Sequence, residues 1–338
     1  MCMYFTKGIN QNGYIMCLHC NMKKDMHPIF SYIYNITSQC DDIVLLMQEY
    51  VKSDMHQNIV VGFEHTSVLL KNNTVKSWGN NSFGQCNVPE EFQGRIISMS
   101  CCSIITVILL DDNTIKLYGD SDYSNFNIPD SVQGKVISIS CCAEYFNVLL
   151  NNNTVRCFKY NNCKQLYVPD SIQGKTISIN SGTTYSVAQL CDNTVECWGG
   201  DDWGQCNPPD SIQGKVLSIE CGSMHIVALL KDNTVKCWGN NYWKQCKVPN
   251  SIQGKVVSIK CGSYYSCAFL NDNTIKCWGS DDYELCGFLN SIQSNIISIK
   301  CGLYHSCAIL DDDTVRCWGD NKAGQCNVPY ELQAMRKN

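Results

Sequence analysis

Residues 298–319 read SIKCGLYHSCAILDDDTVRCWG, and variants of this stretch recur along the chain every forty residues. Each copy contains a threonine that follows Asn or Asp and precedes Val or Ile, and four residues later each copy has an aromatic side chain. The threonines are Thr74, Thr114, Thr154, Thr194, Thr234, Thr274 and Thr314, and the aromatic residues are Trp78, Tyr118, Phe158, Trp198, Trp238, Trp278 and Trp318. A period this strict, kept over seven copies without an insertion, indicates a repeat architecture.

Inside one unit the hydrophobic pattern has a period of two, which is typical of β-strands. The strands predicted for one unit are 216–222, 226–230, 234–238 and 245–249. Residues 231–234 (KDNT) provide the tight turn of a hairpin, because Asp and Asn tolerate the left-handed conformation that such turns need. Pro249 marks the end of the fourth strand, since proline cannot donate to a strand ladder.

Four short antiparallel strands in each of seven units are typical of a seven-bladed β-propeller. A stacked solenoid would need distinct capping units, and the last unit is as regular as the middle ones. The sequence therefore predicts an all-β fold in which residues 56–330 form the propeller and 331–338 form a C-terminal tail. Residues 1–55 are a short N-terminal extension, in which 41–51 read as a capped amphipathic helix or, alternatively, as a degenerate strand pair.

The units also carry a family signature. Residues 302–305 form Gly-x-x-His, residues 318–319 form Trp-Gly, and the turn between them is of the Asp-Gly-Thr type with Asn or Asp in place of Gly. In these features residues 57–329 resemble the repeats of the regulator of chromosome condensation family. The forty-residue units are most similar to the compact branch of that family, which includes a bacterial inhibitor of β-lactamases. The second and third units depart most, because 117–119 (LYG) and 157–159 (CFK) replace Cys-Trp-Gly.

Composition and charge limit the classes of function. The formal net charge of −5 and the isoelectric point near 5.7 offer no overall basic field to nucleic acid or to an anionic membrane. No apolar run approaches the roughly 18 residues of a membrane-spanning helix, and the N-terminus does not resemble a secretory signal. We expect a soluble, intracellular and monomeric protein in the cytoplasm. The nucleus and a virion are alternatives, since the Asn-, Ile- and Lys-rich composition also occurs in large DNA viruses.

The 25 cysteines follow the repeat rather than a disulfide framework. The positions that hold Cys in most units accept Val, Leu, Ser or Phe in others, so they need a small or apolar filler, which a free thiol is. Cys267 with Cys277, and Cys307 with Cys317, flank one hairpin each. A disulfide in either hairpin depends on the register of the turn, because a shift by one residue places the two sulfurs on opposite faces.

Metal, cofactor and catalytic signals are weak or absent in the sequence. Cys17, Cys20, His27 and Cys40 have some of the spacing of a zinc site, but a chance cluster is the preferred interpretation in a chain this rich in cysteine. We find no Ser-His-Asp order and no phosphate-binding glycine loop. The sequence therefore predicts no metal, no cofactor and no enzymatic activity.

The loop after Trp-Gly varies most between units, and its aromatic residues form the candidate binding site. One position of this loop holds Phe83, Tyr123, Trp203, Trp243 and Tyr283. Aromatic rings in a polar loop are costly to expose unless a partner covers them, and Tyr and Trp are enriched at binding hot spots. The alternative is that each ring packs over the edge of its own blade.

Two other sets of residues are secondary candidates. His65, His225 and His305 match the family histidine, for which the resemblance implies a part in nucleotide exchange on a Ran-type GTPase. The preferred interpretation is a structural histidine that is hydrogen-bonded to a neighbouring blade. The Gln-Gly-Lys loops form a second set, which we expect to be structural. Their basic residues form either a crown for an acidic partner or a solvated face, and they are Arg95, Lys135, Lys175, Lys215 and Lys255.

The sequence thus favours a non-catalytic protein-interaction module, a scaffold, adaptor or inhibitor that binds a protein partner through the loops of one propeller face. One alternative is a guanine-nucleotide exchange factor for a Ran-type small GTPase, as the resemblance to the family's namesake implies. The compact units lack the long insertions with which that namesake meets its GTPase. A second alternative is a structural or carbohydrate-binding surface protein.

Overall fold

The computed structural model describes residues 58–120, 128–142, 145–159, 167–281, 285–291 and 296–333. These residues form seven antiparallel sheets, each made of three consecutive strands from one repeat unit. The first strands are β1 (Asn58–Val61), β4 (Ile96–Cys101), β7 (Val136–Cys141), β10 (Thr176–Ser181), β13 (Val216–Cys221), β16 (Val256–Cys261) and β19 (Ile296–Cys301). The second strands are β2 (His65–Leu69), β5 (Ile105–Leu110), β8 (Tyr145–Leu150), β11 (Tyr185–Leu190), β14 (His225–Leu230), β17 (Tyr265–Leu270) and β20 (His305–Leu310). The third strands are β3 (Val75–Gly79), β6 (Ile115–Gly119), β9 (Val155–Lys159), β12 (Val195–Gly199), β15 (Val235–Gly239), β18 (Ile275–Gly279) and β21 (Val315–Gly319).

Helical structure in the described residues is short. It consists of α1 (Leu285–Ser291), α2 (Tyr330–Gln333) and the 3₁₀ turns Glu90–Phe92, Asp170–Ile172, Asp210–Ile212 and Asn250–Ile252. Within the described ranges, no helix is long and apolar enough to cross a membrane.

The seven sheets close into a ring. The first strand of each unit packs against the first strand of the next unit, and β1 packs against β19 and β20 of the last unit. Across this closure the indole Nε1 of Trp78 donates a hydrogen bond to the backbone oxygen of Gln325 at 2.9 Å, and Thr66 Oγ1 donates to the same oxygen at 3.0 Å. The prediction of an all-β, seven-bladed propeller is confirmed.

The predicted fourth strand is wrong, because residues 245–249 form turns and each described sheet has three strands. Instead, a glutamine side chain forms hydrogen bonds with the backbone at the start of the third strand. Gln253 Oε1 accepts a hydrogen bond from Val235 N at 2.8 Å, and Gln253 Nε2 donates to Val235 O at 3.0 Å. The same pair of bonds is made by Gln93, Gln133, Gln173 and Gln213. The glutamine of the Gln-Gly-Lys loop is therefore structural, since its amide pairs with the start of the third strand, beside which an antiparallel fourth strand would end.

The repeated Asp-Asn-Thr sequence builds the hairpin turn between the second and third strands. Asn233 has a φ of 62°, in the left-handed region that Asn tolerates better than most residues. The Oδ1 atom of Asp232 accepts hydrogen bonds from Thr234 N at 3.0 Å and from Thr234 Oγ1 at 2.6 Å. These local bonds fix the register of the hairpin in every unit.

The hydrophobic cores lie between neighbouring blades. In one of them Val227 of the fifth unit packs in the same cluster as Trp278 of the sixth. The Trp278 indole Nε1 donates to the backbone oxygen of Gln245 in the preceding unit at 2.9 Å. In the third unit Phe158 replaces this tryptophan, and its ring stacks on Phe146 with centroids 5.1 Å apart. The third unit thus has an aromatic ring at this core position although it lacks the tryptophan of the family signature.

Candidate functional site

The loops of each blade divide between the two ends of the propeller. The loop after Trp-Gly bonds to the loop between the first and second strands, since Asn240 N donates to Met224 O at 2.8 Å. The Gln-Gly-Lys loop bonds to the hairpin turn at the opposite end, since Lys231 N donates to Lys215 O at 3.0 Å. We call the end with loop 239–246 and its equivalents the aromatic face, and the end with turn 231–234 and its equivalents the turn face.

A buried glutamine holds each described loop after Trp-Gly. Gln245 is 1% exposed, and its Oε1 accepts a hydrogen bond from Trp243 N at 2.9 Å. Cys246 N donates to Asn241 Oδ1 at 2.9 Å, and the Cys246 thiol donates to a loop carbonyl at 3.3 Å. Equivalent glutamine bonds join Gln85 to Phe83, Gln205 to Trp203 and Gln325 to Ala323. The loop backbone is therefore fixed independently of the side chain at its variable position.

The candidate aromatic side chains project from this fixed backbone. Phe83 is 46% exposed, Trp203 is 52% exposed and Trp243 is 43% exposed. Tyr123 and Tyr283, the other two predicted members, lie outside the described residues. Packing against the blade covers only about half of each ring, so the uncovered half is free to contact a partner.

Three exposed tyrosines widen the aromatic face beyond the sequence prediction. Tyr242 is 77% exposed, and its ring meets Trp243 edge to face with centroids 5.0 Å apart. Tyr264 and Tyr304 lie between the first and second strands of their blades and are 37% and 36% exposed. Phe63 contacts the Tyr304 ring edge to face, with centroids 6.4 Å apart. Tyr264 and Tyr304 share one repeat position, immediately before the position of the family histidine, and this is their signal in the sequence.

The three family histidines lie in the protein interior, where they join neighbouring blades. Each is 0% exposed, and its Nε2 atom lies within hydrogen-bond distance of a hydroxyl group in the next blade. The pairs are His65 with Thr106 at 3.2 Å, His225 with Ser266 at 3.0 Å and His305 with Thr66 at 2.8 Å. Burial lowers the pKa of each imidazole to about 4, because the charged form loses its hydration. In this position the neutral rings support blade packing and do not reach the surface.

The Gly-x-x-His signature has a steric explanation. A Cβ atom on Gly222 would overlap the His225 ring, so only glycine leaves room for the ring at that position. In other units tyrosine replaces the histidine and makes the same kind of bond between blades. Tyr185 Oη, for example, donates to the backbone oxygen of His225 at 2.7 Å.

Four of the units match the family model described as Regulator of chromosome condensation (RCC1) repeat, over residues 57–85, 216–242, 256–284 and 296–325. The seven sheets and the Gly-x-x-His packing agree with that match. These four units are repeats of the regulator of chromosome condensation type. No curated protein matches its sequence.

Three solved structures share this fold. The ectodomain of the Physcomitrella patens receptor kinase CR4 is 19% identical with a TM-score of 0.62, and the alignment covers 78% of this chain and 74% of that one. The CRINKLY WD40 ectodomain of the Arabidopsis thaliana receptor kinase ACR4 is 19% identical with a TM-score of 0.61, over 78% and 97% of the two chains. Prp20p from Saccharomyces cerevisiae is 16% identical with a TM-score of 0.60, over 74% and 81%. At these identities the likeness shows the fold alone.

The cysteines of the repeat units form hydrogen bonds as well as filling space. Cys141 Sγ donates to the backbone oxygen of Ser100 in the preceding blade at 3.5 Å. Ser181, at the same repeat position, donates to Ser140 O at 3.1 Å. The interpretation of this position as an apolar filler is therefore incomplete, because Cys and Ser both supply a donor between blades.

Two cysteine pairs in the last two repeats are disulfide-bonded. Cys267 lies directly opposite Cys277, and Cys307 lies directly opposite Cys317, with Cα atoms 4.2 and 4.1 Å apart. The register of the hairpin turn thus places both sulfurs of each pair on one face of the sheet.

A central cavity of about 380 Å³ is lined by the first strands of the blades. Its lining is polar and includes Ser100, Ser140 and Asn180. Glu220, also in the lining, forms an ion pair with Lys260 of the next blade at 2.5 Å. Within the part of the chain that the structure describes, no group of three or more His, Cys, Asp or Glu side chains could hold a metal ion.

The basic residues of the turn face take part in contacts within the fold. Arg95 forms ion pairs with Asp112 at 2.8 Å and Asp111 at 3.0 Å, and hydrogen bonds to these two carboxylates raise the pKa of the guanidinium. Lys135 and Lys215 each donate from Nζ to a backbone carbonyl four residues earlier, at 2.9 and 2.8 Å. Because these basic side chains already bond within the fold, the aromatic face is a stronger candidate for partner binding than the turn face.

Proposed function

We propose that the chain is a non-catalytic protein-interaction module, acting as a scaffold, adaptor or inhibitor, and that its aromatic face binds a protein partner. The observation that carries the proposal is the exposure of Phe83, Trp203 and Trp243 at one repeat position. Each ring is about half exposed on a backbone that a buried glutamine fixes. A partner that covers these rings gains apolar burial with little loss of loop entropy.

The tyrosines beside these rings support the same function. Tyr242, Tyr264 and Tyr304 add exposed aromatic surface next to polar loop backbone. Tyrosine and tryptophan combine a large rigid ring with a hydrogen-bonding group, which is why both are enriched at the centres of protein interfaces.

The exchange-factor alternative has less support in this chain. Prp20p, one of the similar structures, was described together with its binding properties to Gsp1p and histones. The histidines that match the family histidine are buried between blades here, and neutral at pH 7. They offer no surface group for nucleotide exchange, so the aromatic face is the better-supported site.

A capture experiment tests the proposal. The full chain is immobilised and exposed to an extract of its native host, and bound proteins are quantified by mass spectrometry. The test variant is Trp203→Ala with Trp243→Ala. The matched control is Tyr330→Ala, because Tyr330 is 80% exposed but belongs to none of the loops of the aromatic face. We expect the specific partners to bind the wild type and the control but not the double variant.

Three outcomes, one from this capture experiment and two from further assays, separate the alternatives. Equal capture by the double variant and the wild type would show that the aromatic face is not the binding site. Accelerated release of a fluorescent guanine nucleotide from a Ran-type GTPase would replace the proposal with the exchange-factor function. Binding to a glycan array that Trp203→Ala abolishes would replace it with carbohydrate recognition.

A further inference from the structure

In two blades, one cysteine lies in the tryptophan-bearing loop and a second cysteine lies on the third strand. In the fourth unit the Sγ atoms of Cys197 on β12 and Cys206 in the Trp203 loop are 2.6 Å apart. Non-bonded heavy atoms pack at roughly 3.5–4.0 Å and a disulfide bond is about 2.05 Å long, so these sulfurs are already closer than ordinary packing allows. In the fifth unit Cys237 on β15 and Cys246 occupy the same two repeat positions, and the Cys237 thiol donates to the backbone oxygen of Gln245, the residue before Cys246, at 3.5 Å.

We propose that Cys197 with Cys206, and Cys237 with Cys246, are sites of reversible disulfide formation that fix the two tryptophan-bearing loops. All four cysteines are free thiols, and none of them is fully buried. Each bond would close a short segment that contains the whole loop, including the tryptophan and the glutamine beneath it.

Comparison between units explains why these two pairs are distinct. In the sixth and seventh units the strand cysteine already has a disulfide partner on the second strand, Cys267 or Cys307. In the fourth and fifth units that opposite position is Val187 or Val227, so no disulfide to the second strand competes for the strand thiol.

The first unit provides a natural control. Its loop carries Cys86, but the strand position holds Ser77, whose hydroxyl bonds to Ser67 at 2.8 Å. Cys86 therefore has no cysteine at the strand position that pairs with the loop in the fourth and fifth units. The Phe83 loop has the same glutamine scaffold as the tryptophan loops but cannot form the cross-link.

The reaction is thiol–disulfide exchange with a low-molecular-weight disulfide such as glutathione disulfide. The thiolate of Cys206, which lies in the surface loop, attacks one glutathione sulfur, and the other glutathione leaves as a thiolate. The thiolate of Cys197 then attacks the Cys206 sulfur of the mixed disulfide and releases the second glutathione. One S–S bond breaks and one forms, two electrons pass to the oxidant, and the two protein protons end on the two glutathione thiols.

Mass mapping tests bond formation without any partner. The full chain is equilibrated in buffers with increasing ratios of glutathione disulfide to glutathione, alkylated, digested and analysed. We expect a peptide linking Cys197 to Cys206 to appear in oxidising buffer and to disappear on reduction. Cys86 should remain alkylated throughout. If Cys197 and Cys206 stay alkylated in buffers that keep the Cys307–Cys317 bond intact, the proposal is wrong.

Hydrogen exchange tests the effect on the loop. Oxidation should slow exchange of the amides of residues 201–206 by about tenfold or more, because a short covalent loop loses most of its open states. Cys197→Ser should remove this protection, and the first unit, with Ser77 at the same position, shows that the fold accepts serine there. Cys206→Ser is the second variant and Cys86→Ser the control. Equal exchange in the oxidised and reduced protein would refute the fixing role.

The consequence for binding rests on the proposed function of the aromatic face. Oxidised protein should then bind the partner more tightly than reduced protein, because the cross-link removes the motion that remains in loops held only by hydrogen bonds. If Trp203→Ala with Trp243→Ala abolishes capture but oxidation leaves it unchanged, the proposed function stands and redox control of binding is refuted. If mapping finds the disulfides but the Trp variant still binds, only the proposed function fails.

Discussion

Replacement of both loop tryptophans by alanine should weaken partner binding strongly while leaving the fold intact. A tryptophan side chain has roughly 250 Å² of surface. The exposures of 52% for Trp203 and 43% for Trp243 then leave about 130 and 110 Å² for a partner to cover. At about 25 cal/mol per Å² this area is worth about 3 kcal/mol for each ring, as an upper value.

Binding also costs translational, rotational and side-chain freedom, so only part of this energy contributes to affinity. We therefore expect the double variant to lose about 3 kcal/mol of binding free energy, which raises Kd roughly a hundredfold. The affinity of the captured partner is measured by titration calorimetry for wild type, double variant and Tyr330→Ala. The free energy of unfolding should fall by only about 1 kcal/mol per tryptophan, because neither ring belongs to a core between blades.

Trp238→Ala is the matched control for stability, since it removes the same side chain from a core. Trp238 is 8% exposed and its Nε1 donates to Gln205 O at 3.0 Å, so its loss should cost about 3–5 kcal/mol. If the double variant destabilises the fold as much as Trp238→Ala and still binds the partner with unchanged affinity, the loop rings pack on the blade edge and the site assignment is refuted.

Three other predictions follow from the fold. Deletion of residues 218–257, one whole repeat, should cause aggregation or a strongly lowered Tm, because the shortened chain cannot close the same ring; a soluble monomer that melts as cooperatively as the parent would indicate an open solenoid. In denatured, non-reduced protein most cysteines should titrate as thiols, and mass mapping of more than about four disulfides would contradict the packing role assigned to them. His225 has a pKa of about 4 in the fold against 6.5 when unperturbed, so the stability it contributes is present above pH 6.5 and is lost as pH falls toward 4. His225→Tyr, which copies Tyr185 and Tyr265, should therefore give a shallower fall in Tm over that range; an unchanged pH profile would argue against the burial of the neutral ring.

Much of the fold could be predicted because its determinants repeat every forty residues. The Asp-Asn-Thr turn and the strand pattern depend on local sequence, and both recur in register with the blades. The fourth strand was predicted wrongly because a long-range contact replaces it. The side-chain amide of Gln253 forms hydrogen bonds with the backbone of Val235, eighteen residues earlier. The period-two pattern of a strand does not reveal that a side chain, rather than another strand, will occupy this edge.

The candidate site was only partly predictable, because exposure depends on tertiary packing. The sequence pattern identified Phe83, Trp203 and Trp243 but could not show how much of each ring the blade covers. It did not identify Tyr264 or Tyr304, whose repeat position holds residues as different as Glu and Met in other units. The partners of the cysteines were equally hidden, since one thiol can fill space, donate a hydrogen bond or form a disulfide.

Photo-cross-linking from single positions tests the central claim most directly. Benzoylphenylalanine is placed at position 243 on the aromatic face and, in a second protein, at position 330 outside it. Both are irradiated in the host extract, and cross-linked proteins are identified by mass spectrometry. The account predicts that position 243 captures a specific partner that position 330 does not. Capture of that partner from position 330 with none from position 243 would contradict it.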